Sequence, residues 1–87
     1  MSELSSLPNI GKTLAAKLEK VGITSFTDLQ EAGSENAIIR ISSLEDSGAC
    51  INMLYALEGA IQGIRWHGLS PNKKKELSEF YKMLGKQ

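Results

Sequence analysis

Ile10, Leu14, Leu18 and Val21 recur at intervals of four, four and three, while Lys12, Lys17, Glu19 and Lys20 fall mostly off that stripe. The period is helical and one face is apolar, which predicts an amphipathic helix. Gly22 follows, a residue suited to the left-handed conformation that ends a helix. Ser25 is placed to cap a second helix, with Asp28 in its first turn, where a carboxylate complements the helix dipole. Phe26 and Leu29 face inward on that helix and Gly33 ends it. Ser34 then caps a third helix running through Ile38, Ile39 and Ile41. Three isoleucines so close together also suit a buried strand, but no partner strand is evident nearby, so a helix is expected. Leu44 to Gly48 reads as a loop.

Residues 49–64 carry a single charge, Glu58. A helix apolar nearly all round is a buried central helix. Gly59, Ala60 and Gly63 have little or no side chain, so a neighbouring helix can approach closely there. Each glycine costs about 1 kcal/mol relative to alanine, which packing must offset. Ser70 followed by Pro71 is a cap with proline in the first turn, a clear helix start. Leu77, Phe80, Tyr81 and Leu84 give the last helix one apolar stripe. There is no internal repeat, no low-complexity segment and no strand alternation. The expected fold is all-α, a compact bundle of about five short helices forming a single domain over residues 1–87.

A chain of 87 residues buries roughly 60–65% of its unfolded surface, so the core is modest. Apolar residues at 41% mark a globular chain rather than a disordered one. No apolar run reaches the roughly 18 residues of a membrane span, and Met1 to Leu7 has neither the basic nor the apolar part of a secretion signal. The lone Cys50 excludes an internal disulfide framework and a cysteine-based zinc site, and a reducing, cytoplasmic setting is expected. Net charge is zero, which argues against a strongly electrostatic nucleic-acid binder. The distribution is uneven. Residues 1–64 hold four basic and eight acidic side chains, a net of −4, whereas residues 65–87 hold six and two, a net of +4. A basic tail on an acidic body is either a partner surface or the accident of a short chain.

Two segments could meet an anion. In the turn Asn9-Ile10-Gly11-Lys12, Gly11 lacks a Cβ and lets a ligand approach backbone N–H groups at a helix N-terminus, with Lys12 and Lys17 adding charge-assisted contacts to phosphate. The competing reading is an ordinary capped helix, with Asn9 as the cap and Ile10 in the core. Lys73, Lys74 and Lys75 lie in the first turn of the last helix, where they oppose the helix dipole and an incoming anion would relieve the conflict. The competing reading there is a solvated basic face, and Arg65 could belong to either. Trp66 reads as a core anchor before a base-stacking platform. His67 is the only histidine, and no Asp, Glu or Ser is spaced to form a catalytic group with it. Cys50 and Met53 read as core. Glu58 reads as a helix-edge carboxylate facing water, with pairing to Arg65 as the other option. No paired-carboxylate site, phosphate loop or nucleophile with its base is present. The chain is therefore expected to be non-enzymatic, with no cofactor, metal or small-molecule substrate.

Leu7-Pro8-Asn9-Ile10-Gly11-Lys12, then Val21-Gly22-Ile23-Thr24-Ser25 with Asp28-Leu29, then the unbroken run from Cys50 to His67 together resemble the TfoX C-terminal domain family. The first two segments occur in many helix-hairpin-helix proteins; the third is long and unusual and carries most of the weight. TfoX proteins are bacterial regulators of competence for DNA uptake. The resemblance implies an all-α domain of helix-hairpin-helix or SAM-like type with a role near DNA transformation or transcription regulation. TfoX regulators also have an N-terminal domain, and here six residues precede Leu7, so a stand-alone domain is expected. In the DNA-binding hairpin two glycines flank a hydrophobic residue; here Asn9 takes the first position and Gly11 the second. The helix before the hairpin is one turn at most, from Ser2 to Leu7.

Two functions are carried forward. The first is weak, sequence-independent DNA-backbone contact through Asn9, Gly11, Lys12 and Thr13 with Lys17, and a second contact at Lys73, Lys74 and Lys75. The second is a protein-interaction module that docks a partner or another copy of itself without DNA. Neither involves a membrane.

Overall fold

Leu54, Leu57 and Ala60 lie along one face of a central helix and are wholly buried, as the charge-poor run 49–64 requires. A computed structural model describes residues 3–85. Among the described residues there are four α-helices and no strand: α1 (Lys12–Lys20), α2 (Phe26–Ser42), α3 (Ile51–Gln62) and α4 (Pro71–Leu84). Single 3₁₀ turns at Glu3–Ser6 and Trp66–Gly68 precede α1 and α4. The central helix is α3, packed against α2, α4 and the Trp66–Gly68 turn. Leu4, Leu18, Ile23, Leu29, Ile38, Ile41 and Leu77 close the core around it, every one of them fully buried. Every α-helix thus contributes at least one fully buried aliphatic side chain, α2 three of them, which is how a chain this short forms a continuous interior.

The helix count differs from expectation at Gly33. The second and third expected helices meet end to end within α2 at Gly33, which is non-helical at φ 81° and ψ 159°, so the glycine ends the first of them as expected but no loop separates the two. That conformation is open almost only to glycine, so the residue bends the helix and lets it resume. Ser34 caps nothing. It is buried, and its hydroxyl donates to Glu58 Oε1 at 2.7 Å. The isoleucines are helical as expected: Ile38 and Ile41 point into the core while Ile39 is 42% exposed.

The central helix is shorter than the run 49–64. Cys50 is its N-cap and is exposed, so this residue is not core, whereas Met53 packs against the core. Gly63 serves as a left-handed C-cap rather than a close-approach site, with φ 77° and ψ 26°. Gly22 does what its position predicted. Ile23 N–H reaches Leu18 C=O at 2.9 Å and Gly22 N–H reaches Glu19 C=O at 3.1 Å, the paired bonds of a glycine-terminated helix. The turn before the hairpin is a single 3₁₀ turn, in keeping with the expected one turn; Ser2 lies outside the described residues.

The start of α2 is closed by three side chains. Ser25 Oγ accepts from Asp28 N–H at 3.0 Å, Asp28 Oδ2 accepts from Thr24 N–H and Thr24 Oγ1 at 3.1 Å each, and Glu3 Oε1 accepts from Phe26 N–H at 2.8 Å. The bonds from the Thr24 backbone and hydroxyl hold the Asp28 carboxyl below its ordinary value of 3.8. A lowered folded-state pKa stabilises the fold above the unfolded value, and that contribution disappears as pH falls through the folded one. Asp28→Asn is therefore expected to destabilise the domain at neutral pH, with the gap to the parent closing below 3.8. Urea unfolding across the acid range measures this; a constant gap would show that the ionised carboxylate is not what acts.

Candidate nucleic-acid interface

The turn between the first 3₁₀ turn and α1 is built on backbone bonds from Leu7 N–H to Leu4 C=O at 3.0 Å and from Ile10 N–H to Leu7 C=O at 3.3 Å. Asn9 sits inside it at φ 70°, the one non-glycine residue with positive φ among those described. Asparagine tolerates this conformation better than other non-glycine side chains, which is why it can take this place in the turn. The expected capping role is not observed. Asn9 Nδ2 donates to Ile64 C=O at 2.9 Å and to Ala56 C=O at 3.4 Å, and Asn9 Oδ1 accepts from Trp66 N–H at 3.1 Å. The amide thus faces the end of α3, away from α1.

This leaves α1 without a side-chain cap. Its N-cap is Gly11, extended at φ −95° and ψ −173°. The first backbone bond of the helix runs from Ala15 N–H to Gly11 C=O at 3.0 Å. The N–H groups of Lys12, Thr13 and Leu14 precede that bond, and a helix offers them no internal acceptor. Gly11, Lys12 and Thr13 are exposed. By contrast α2 has the closed start described above, and Ser70 Oγ accepts from Lys73 N–H at 3.1 Å at the start of α4. The central helix also begins without a side-chain cap, but its first turn, Ile51 to Met53, carries no cation.

The basic residues do not form one patch. Lys17 Nζ donates to the carbonyls of Asp46 and Ser47 at 2.6 Å each, and so ties α1 to the loop before α3. Lys73 turns to Glu76, 3.0 Å away. That hydrogen bond raises its pKa above the ordinary lysine value, with burial opposing and Glu58 and Glu35 adding attraction. Lys74 Nζ lies 5.8 Å from the centre of the Trp66 ring and 3.5 Å from His67 C=O, to which it donates. Lys75 is exposed. Trp66 is half-buried and packs against the core, as its reading as an anchor predicted; Tyr55 stacks on it at 5.8 Å and His67 at 4.0 Å. Arg65 is exposed and unpaired with Glu58. The Asn9–Trp66 bond brings Arg65 beside the hairpin turn across more than fifty residues of sequence. Sequence reasoning missed that link. Two signals pointed to it: a glycine inside a helix, Gly59, and an asparagine after a proline in a turn, Asn9.

Residues 1–81 match the family model of the TfoX C-terminal domain. The DNA transformation protein TfoX of Haemophilus influenzae is 34% identical over 77 residues, which take up 88% of this chain and 35% of that protein. The chain thus spans about a third of the length of that curated relative. An uncharacterised protein from Listeria monocytogenes, solved in a triclinic crystal form, superposes with a TM-score of 0.90 at 52% identity, covering 94% of this chain and 92% of the other. A protein of unknown function from the same organism, in a tetragonal form, gives 0.89 at 52% identity over 94% and 99% of the two chains.

The Asn9 contact leaves no room for a side chain at position 59. A Cβ there would lie 2.6 Å from Asn9 Nδ2, 2.9 Å from Ile64 O and 3.1 Å from Trp66 Cα. Gly59→Ala is expected to lower stability despite a helix-propensity gain of about 1 kcal/mol, since overpacking typically costs about 1–3 kcal/mol. Asn9→Gly keeps the backbone free to adopt positive φ but removes three hydrogen bonds, an expected loss of about 1–3 kcal/mol. The double variant should lose less than the sum, because removing the amide removes the 2.6 Å clash. Strict additivity in urea unfolding would sever the two positions.

Proposed function

The chain belongs to the TfoX C-terminal domain family, and we propose that it is a non-enzymatic domain that contacts the DNA backbone weakly and without sequence preference. The observation that carries this reading is the start of α1: exposed, uncapped by any side chain, and headed by Gly11, Lys12 and Thr13. Backbone N–H groups, the helix dipole and a lysine all favour an anion at that point, and phosphate is the anion a helix N-terminus best accommodates. Arg65, set beside the turn by the Asn9–Trp66 bond, supplies a second cation. Lys75 is the exposed member of the lysine triplet and in this reading makes a second, separate contact. Asn9 contributes by shaping the turn, while Lys17 and Lys73 are engaged within the protein. The hairpin and α1 together act in this reading as a helix-hairpin-helix element reduced to one turn on its first side.

The relative named for DNA transformation supports a role in DNA transformation or its regulation. The proposed setting is the cytoplasm, where the lone Cys50 stays reduced.

Two to four phosphate contacts correspond to a salt slope of about −2 to −4 and to affinity near 10⁻⁴ M. Fluorescence titration of labelled duplex DNA at two salt concentrations is expected to give that slope. Lys12→Glu should weaken binding on every sequence and flatten the slope by about one unit. Absence of binding at low salt, or binding indifferent to Lys12→Glu, overturns the hairpin's role.

A further inference from the structure

The bend at Gly33 opens a cleft of about 420 Å³ between the second half of α2 and α4, floored by Glu58 of α3. This volume lies within the range of ligand sites on proteins. Its apolar wall is made by Ile39, Leu77 and Phe80. Ile39 is 42% exposed, and Met83, 64% exposed, stands one turn beyond Phe80 on the face that carries Glu76. These are two of three large apolar side chains exposed among the described residues; Ile39 lines the cleft, and Met83 follows its lining residue Phe80 on α4.

The charged wall comes from three helices. Glu35, Glu58 and Glu76 supply three carboxylates against one ammonium, that of Lys73, leaving a net of −2. Lys73 is spent on Glu76 at 3.0 Å. Glu58 accepts from Ser34 Oγ at 2.7 Å and from Gln62 Nε2 at 2.8 Å. Both donors are neutral, so they fix the carboxylate in place without cancelling its charge. Glu35 is in no ion pair with a described cation. The cleft already holds one ammonium in Lys73, drawn by Glu76 first and by Glu58 and Glu35 as well.

We propose that this cleft docks a basic amphipathic helix of a protein partner, with an apolar side chain laid on Ile39 and Phe80 and a lysine or arginine directed at Glu35 and Glu58. Charge complementarity selects the occupant. A nucleic acid would bring phosphates to a surface of net −2. A second copy bound cleft to cleft about a twofold axis would bring together two surfaces of net −2 each. No strand edge exists among the described residues to pair an extended peptide, whereas a groove between two helices with anchors a turn apart suits a helix. The proposal is independent of DNA binding, because none of the residues that line the cleft belongs to the start of α1.

The test is an NMR titration of the full chain with a synthetic leucine–lysine amphipathic helix and, separately, with its leucine–glutamate counterpart. The lysine peptide should move the signals of Glu35, Ile39, Glu58 and Phe80, and should bind at least about tenfold more tightly than the glutamate peptide. Ile39→Glu and Glu35→Lys change side chains outside the core; each should weaken the lysine peptide by about tenfold while the far-ultraviolet circular dichroism stays unchanged. Equal binding of both peptides, shifts spread away from the cleft, or retention of affinity in both variants overturns the proposal. Movement of the same signals on raising the protein concentration alone overturns it in favour of a second copy. Movement on adding duplex DNA overturns it in favour of nucleic acid.

Discussion

Asn9 joins the hairpin at the start of the chain to the far end of α3, and it can do so because residue 59 has no Cβ. Three backbone groups, the carbonyls of Ala56 and Ile64 and the N–H of Trp66, are met by one short amide. The Ile64 carbonyl lies past the end of α3 and the Trp66 N–H belongs to the first residue of the next turn, two places where helical bonding supplies no partner. An unmet polar group in a part-buried place costs about 1–3 kcal/mol, so the amide stabilises both segments it touches. The same contact fixes the direction of α1. With Asn9 committed to α3, the helix has to start at Gly11 without a side-chain cap. The open helix start and the tertiary link are two faces of one arrangement.

Much of the fold was legible because it rests on local signals. The stripe from Leu14 to Leu18, the Gly22 terminus, the Ser25–Asp28 cap and the Ser70–Pro71 start depend on residues within a turn of each other, and each appears where the pattern placed it. The low charge of residues 49–64 identified the central helix for the same reason: burial on several sides leaves no solvent face to hold charge. What escaped involves partners distant in sequence. Ser34 resembles a cap in sequence, but a carboxylate twenty-four residues away takes its hydroxyl. Gly33 resembles a terminator and does interrupt the helix, but the chain resumes helical geometry at once, so the sharp bend in place of a loop is what the sequence did not show. Cys50 resembles core because its neighbours are apolar, but it falls at the N-cap, where the chain turns outward.

The candidate site was legible in position and illegible in membership. Gly11, Lys12 and Thr13 stand exposed at the uncapped helix start that their spacing suggested. Lys17, one turn further on, has the right charge and spacing but serves a loop that lies nearly thirty residues downstream. The lysine triplet reads as one patch in sequence. Consecutive residues on a helix point about 100° apart, so the three diverge to Glu76, to Trp66 and to solvent. Arg65, which no local pattern attached to the hairpin, is brought to it by Trp66.

That divergence explains how a chain of zero net charge can present two surfaces of opposite character. The division seen along the sequence, an acidic body and a basic tail, is not the division in space. Lys73 leaves the tail to neutralise part of an acidic cleft, and Lys17 and Lys20 leave the hairpin's helix to hold the loop at Asp46. Each such pairing removes a cation from any binding surface and adds little stability where the pair is exposed. Near the turn at Asn9, what remains exposed and outside any ion pair is Lys12 with Arg65, and between α2 and α4 an anionic cleft around Glu35 and Glu58. Neither carries enough charge for tight electrostatic binding on its own. On the readings proposed for its two sites, such a domain would bind through geometry first, at a bare helix start and at an apolar-walled cleft, with charge choosing which kind of ligand each would accept.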